Sequence, residues 1–119
     1  MRYGVAMIQR LEITSSPTER ATSAAQFALL GDPLRLQIVE SLAREQLCTC
    51  HLIDITGAKQ TTVSHHLRLL REAGAIIGEA DGRFTWYRLA PAAFSSTLAR
   101  LGGIEASGDA PRLRMACTS

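Results

Sequence analysis

Two of the chain's three cysteines stand one residue apart in the stretch Leu47-Cys48-Thr49-Cys50-His51-Leu52. Such a pair offers two thiolates to one soft or thiophilic ion, the class that holds trivalent arsenic and antimony, cadmium, lead and monovalent copper; calcium and magnesium, which take oxygen ligands, do not fit. A thiol enzyme needs a CxxC redox pair, or a cysteine followed six positions on by an arginine that cradles an oxyanion. Those positions hold Asp54 and Thr56, so no enzyme is expected. Oxidation of the two thiols as a signal is the alternative to an ion. At roughly 100° per residue, positions i and i+2 of a helix point to nearly opposite sides. An ion that takes both sulfurs therefore requires the backbone to leave regular helix geometry.

A second group of polar residues lies in "QTTVSHHLRLLREAG". Val63, Leu67 and Leu70 recur at i, i+4 and i+7, while Thr61, Ser64, His65 and Arg68 line the opposite face. The major groove of DNA admits one such helix and is read by side chains carrying donors and acceptors. Gln60 suits bidentate pairing with adenine, Thr61 and Ser64 suit bases or phosphates, and Arg68 suits a phosphate or a guanine edge. His66 points toward the apolar side and is expected to pack rather than to read DNA.

The elements that hold these groups follow from local signals. Ser16-Pro17-Thr18-Glu19 has the form of a helix start with a capping box, and that helix runs to about Leu30, with Gly31 as its C-terminal cap. Asp32-Pro33 opens a second helix carrying Leu34, Ile38 and Leu42, which ends near Arg44. The CxC opens a short third segment, "CTCHLIDIT", stopped by Gly57, and the polar-faced helix comes fourth. "AIIGEA" and "RFTWYRL" flank Asp81-Gly82, a two-residue turn pair that signals a β-hairpin. A last helix, "AAFSSTLARL", follows Pro91, and the Gly-, Ala-, Ser- and Pro-containing remainder reads as a flexible tail. The expected organisation is an N-terminal arm over 1–16, one domain over 17–101 and a C-terminal tail over 102–119. Helices followed by one hairpin, with "ITGAKQ" as the Gly-containing link between the third and fourth, describe a winged helix-turn-helix, mainly α with one β-hairpin.

Composition sets the frame. A chain of 119 residues holds one hydrophobic core, and 46% hydrophobic residues are too many for a disordered chain. No apolar run approaches the roughly 20 residues of a membrane span, so no membrane partner is expected. Gln9, Arg10 and Glu12 interrupt the opening segment before a signal-peptide core forms, which points to the cytoplasm. Three cysteines cannot all pair within one chain, and a reducing compartment favours metal or redox use. The net charge of +2 argues only weakly for nucleic acid, so DNA contact must come from local placement of charge.

"FALLGDPLRLQIVESLA", "LCTCHL", "TTVSHHLRLLREAGAI" and "WYRL", in this order, resemble the ArsR/SmtB family of metal- and metalloid-responsive repressors over about residues 20–100. The resemblance implies a homodimer that binds palindromic double-stranded operator DNA and leaves it when an inducer ion binds. It matches Cys48 and Cys50 to the family's ligand cysteines and implies an arsenic-sensing type, induced by trivalent arsenic or antimony, with cadmium or lead as the alternative. His51 replaces a common aspartate, and Ile53 stands where some arsenic-sensing members have a third cysteine. The third ligand is then expected from Cys117, with His51 as the nearer substitute. "AAFSSTLARLGG" lacks the His and acidic pairs of the family's zinc sensors, so a zinc site of that kind is not expected. Lys59 stands where members often carry a helix-capping serine, which adds a phosphate-seeking charge. In the wing, Arg83 is the candidate contact, although Glu79 and Asp81 beside it weigh against deep insertion.

Overall fold

The computed structural model describes residues 15–115 and 117, so the expected N-terminal arm lies outside the described residues as far as residue 14. Helix α1, Pro17–Leu30, begins with a reciprocal cap. The Glu19 N–H donates to Ser16 Oγ at 3.1 Å, and the Ser16 N–H donates to Glu19 Oε1 at 3.4 Å. Gly31 caps its other end, and Asp32 immediately starts α2, Pro33–Leu42, by accepting from the Leu34 and Arg35 N–H groups at 2.8 and 3.1 Å. Those backbone bonds, the Arg35 one foremost, hold the Asp32 carboxyl below the usual range.

Next comes an element absent from the sequence-based expectation. Leu47–Cys48 form a short strand, β1, and only then does α3, Thr49–Thr56, begin. Gly57, Ala58 and Lys59 link α3 to α4, Gln60–Glu72. The turn depends on Gly57, which sits at φ 70° and donates its N–H to the Ile53 carbonyl at 2.8 Å. A Cβ there would touch nothing within 4 Å, so the cost of replacing it is conformational. Gly57→Ala is expected to lower stability by about 1–2 kcal/mol, the left-handed penalty for an L-residue, seen as a lower urea midpoint at unchanged slope.

Strands β2, Ile76–Asp81, and β3, Phe84–Leu89, pair antiparallel with Ile76 opposite Leu89 and Asp81 opposite Phe84. The turn is therefore Gly82-Arg83 rather than Asp81-Gly82: glycine, at φ 62°, takes the first central position, as a type II′ hairpin turn requires. On its other edge β3 pairs with β1, Leu47 opposite Tyr87 and Cys48 opposite Trp86, making a three-stranded sheet of order β1-β3-β2. The core joins all of these: Ile38, Val39 and Leu42 of α2, Leu47, Leu52, the Val63, Leu67 and Leu70 stripe of α4, Ile76 and Tyr87. Burying each large apolar side chain contributes roughly 1.5–3 kcal/mol.

The last helix, α5, runs over Ser95–Ala106, not 92–101. It passes through Gly102 and Gly103, so the expected tail boundary at 102 falls inside a helix. Ile104 continues the i, i+3, i+6 stripe begun by Leu98 and Leu101, and the penalty of about 1 kcal/mol per helical glycine does not end the helix. What joins α5 to α1 is polar. Buried Thr97 donates to Gln26 Oε1 and accepts from the Ser23 hydroxyl, Arg100 donates to Ser23 Oγ at 2.7 Å and Glu19 Oε2 at 3.2 Å, and Gln26 Nε2 donates to the Ala93 carbonyl at 3.0 Å. An apolar stripe on both helices is left facing outward, with Phe27, Leu98, Leu101 and Ile104 44%, 61%, 44% and 59% exposed, while Leu29 and Leu30 of α1 pack against the core.

Candidate nucleic-acid interface and thiol site

Helix α4 separates its residues as its periodicity demands. Val63, Leu67 and Leu70 are buried, and Gln60, Thr61, Ser64, His65 and Arg68 are all exposed on the other arc, with Lys59 exposed as N-cap. No side-chain hydrogen bond caps this helix, so its first-turn N–H groups and the Lys59 ammonium face outward together, an arrangement that favours phosphate. Arg68 Nη2 lies 3.2 Å from His65 Nδ1. A guanidinium only donates, so Nδ1 accepts and the imidazole proton sits on Nε2, where it can reach a base or phosphate acceptor. Arg71, which sequence reasoning passed over, is exposed in the last turn. Eleven residues beyond Gln60 at about 100° each, it falls on the same arc, a signal present in the sequence.

His66 occupies the flank of α4 between these faces, half-buried. Its Nδ1 accepts from Arg35 Nη1 at 3.1 Å, and Arg35 Nε also donates to the Leu29 carbonyl at 2.6 Å. Burial, reinforced by Arg35 and His65 and opposed by Asp32, pushes the His66 pKa below its ordinary value. A neutral imidazole thus ties α4 to α2, the packing role expected for His66.

Arg83 is exposed in the hairpin turn. The acidic character of the wing is partly offset: Glu79 Oε1 accepts from both Nε and Nη2 of Arg88 at 3.3 Å, a diagonal cross-strand pair. Asp81 remains beside Arg83 at the tip.

The thiol site departs from expectation in its backbone. Cys48 is not inside a helix: at φ −93° and ψ 171° it is extended, the last residue of β1 and the N-cap of α3. Its thiol is buried, whereas Cys50, in the first turn of α3, is exposed. The two cysteines straddle a strand-to-helix junction, so the departure from helix geometry that a shared ion requires is already built in at Cys48. His51 lies against the same thiol, with Nδ1 3.3 Å from Cys48 Sγ and 3.2 Å from the Cys48 backbone nitrogen. Its ring also rests against Trp86, with centroids 5.6 Å apart. Cys117 is exposed, well beyond the end of α5. Among the described residues no group of three His, Cys, Asp or Glu side chains stands close enough to hold one ion. The structure thus brings together Cys48 and His51, and does not gather Cys48, Cys50 and Cys117.

A sequence model described as bacterial regulatory protein, arsR family, matches residues 32–77, from the cap of α2 to the start of β2. The chain is 38% identical over 71 residues to the uncharacterized HTH-type transcriptional regulator MJ1325 of Methanocaldococcus jannaschii, covering 58% of this chain and 80% of that one. It is 39% identical over 66 residues to the arsenical resistance operon repressor of Escherichia coli, 55% of this chain and 56% of that one. It is also 39% identical over 62 residues to the cadmium resistance transcriptional regulatory protein CadC of Listeria innocua, 51% of this chain and 52% of that one. The chain thus spans about half the length of these last two relatives. Among solved structures, that of a possible transcriptional regulator for arsenical resistance superposes with a TM-score of 0.61 at 28% identity, over 73% of this chain and 97% of the other.

Proposed function

We propose, starting from the fact that this chain belongs to the arsR family of bacterial regulatory proteins, that it is a transcriptional repressor. It binds a palindromic operator as a homodimer and is released when a thiophilic ion is taken by the thiolates of Cys48 and Cys50. The observation that carries this reading is the packing of α3 on α4: the helix that begins at the cysteines lies directly on the helix whose polar arc faces outward. Leu52 of α3 shares one core with Val63 and Leu67 of α4, so a shift at the start of α3 is felt by the DNA-reading helix.

Each group then has a task. Gln60, Ser64 and His65 read base edges, Thr61, Lys59, Arg68 and Arg71 hold phosphates, and Arg83 reaches the backbone from the wing. Cys48, at once the end of β1 and the cap of α3, couples the ion site in two directions: through α3 to α4, and through its pairing with Trp86 to the wing strand. A site of this kind shifts an equilibrium between two arrangements by favouring one of them. Soft thiolate donors suit trivalent arsenic or antimony, for which Cys117 has to be brought to Cys48 and Cys50 as a third sulfur. Cadmium or lead is the second reading, favoured by the imidazole already placed beside Cys48. A second copy of the chain is the natural cover for the apolar stripe of α1 and α5, where Ala24, Phe27, Leu101 and Ile104 line a groove of ≈ 420 Å³. Among the described residues no helix is long and apolar enough to cross a membrane.

The reading is tested at the polar arc. Ser64→Ala and His65→Ala, both at exposed positions, are expected to leave the fold unchanged. Each should weaken operator binding by about 1–3 kcal/mol where a base contact is lost. Fluorescence anisotropy against the protein's own promoter DNA reads the loss. Two variants that bind as tightly as the parent would place the DNA surface elsewhere.

A further inference from the structure

His51 stands at the third position of α3 and Cys48 at its N-cap, the two positions whose side chains meet across the first turn of a helix. The backbone N–H of Cys48 points at His51 Nδ1, 3.2 Å away. That nitrogen therefore carries the lone pair, and the ring proton lies on Nε2. The same lone-pair nitrogen is 3.3 Å from Cys48 Sγ. With metal bonds of about 2.3 Å to sulfur and 2.0–2.1 Å to imidazole, two ligands of one tetrahedral ion stand about 3.5 Å apart. The pair is within a few tenths of an ångström of that separation without backbone movement. Contact with Trp86, the partner of Cys48 in the sheet, keeps the ring on this side of the junction.

We propose that His51 Nδ1 is the nitrogen donor of an ion site it forms with Cys48 and Cys50, and that the ion is a borderline divalent cation of the zinc and cadmium kind. Thiolate and imidazole together are the donor set of tetrahedral zinc-type ions, whereas trivalent arsenic calls for sulfur alone. Among the described residues no three donors are gathered, and the pair that does stand together at this junction is a thiol with an imidazole. Cys50 is exposed one residue before His51, and its thiol has to move to the pair for the ion to bind, by the fast side-chain rotation open to a surface residue together with a shift of the first turn of α3. On binding, the two thiols release their protons to solvent, and Nδ1 exchanges its hydrogen bond from the Cys48 N–H for the ion. The inference rests on the reading of Cys48 as an inducer ligand and adds to it the donor that sets the ion class.

The test uses the full chain loaded with zinc, with cadmium and with arsenite in separate arms. Zinc X-ray absorption of the parent is expected to show imidazole scattering together with sulfur. A first coordination shell free of imidazole overturns the proposal, whether or not any variant folds. His51→Gln keeps a side chain able to accept from the Cys48 N–H, as glutamine does at this position of a capping box, and removes the imidazole. It is expected to lower cadmium affinity by about 100-fold, the upper end of what losing even an orienting partner of a metal ligand costs. Arsenite affinity should change little. The fluorescence of Trp86, the chain's single tryptophan, lies beside the site and reports each titration. Cadmium binding undiminished in His51→Gln but lost in Cys48→Ser overturns only the role of His51. Binding undiminished in both removes the ion site itself from this junction.

Discussion

Replacing Leu98 and Ile104 together by glutamate is expected to turn a dimer into monomers and to weaken operator binding by about 10²- to 10⁴-fold, the avidity that linking two half-site contacts supplies. Both side chains lie on the outward stripe of α5, 61% and 59% exposed, and neither belongs to the core that holds α2, α3 and α4 together. The polar contact between α1 and α5 within one chain is made by Glu19, Ser23, Gln26, Thr97 and Arg100, which the substitutions leave in place. Folding should therefore survive while association does not, because two glutamates per chain brought into an apolar contact bury unpaired charge. Sedimentation gives the oligomeric state and anisotropy gives the operator affinity. A variant that stays dimeric and binds like the parent would assign the stripe to another role.

The second large effect is a loss of response. A Cys48→Ser, Cys50→Ser variant should bind the operator with the parent's affinity and remain bound at ion concentrations that release the parent. In the parent, coupling of about 1–3 kcal/mol between the two sites corresponds to a 5- to 150-fold weakening of DNA binding. Cys50→Ser alone is the cleaner control, because Cys50 is exposed whereas Cys48 is buried between β1 and α3, and surface substitutions rarely cost more than about 0.5 kcal/mol. Release of the double variant by the same ion, at the same concentration, would remove both thiols from the mechanism.

How far the sequence determined this protein depends on the range of the interaction involved. The capping box at Ser16, the Asp32 cap, the left-handed stop at Gly57 and the two faces of α4 are set by residues within four or so of one another, and all stand as their order implies. So does the exposure of Gln60, Thr61, Ser64, His65 and Arg68, since a 3.6-residue period fixes which side chains leave the core. The thiol site was legible only as a list of donors. Cys48 is extended because Leu47 and Cys48 pair with Tyr87 and Trp86, partners nearly forty residues away that no local pattern announces. That pairing starts α3 at Thr49, puts His51 at its third position and brings imidazole to thiol at 3.3 Å. The end of α5 was likewise decided by packing. Gly102-Gly103 reads locally as a break, yet the helix, clasped to α1 upstream of the glycines by Thr97 and Arg100, runs on to Ala106 and places Ile104 on the apolar stripe. Local sequence chose the chemistry of each residue, and long-range strand and helix pairing chose which of them meet.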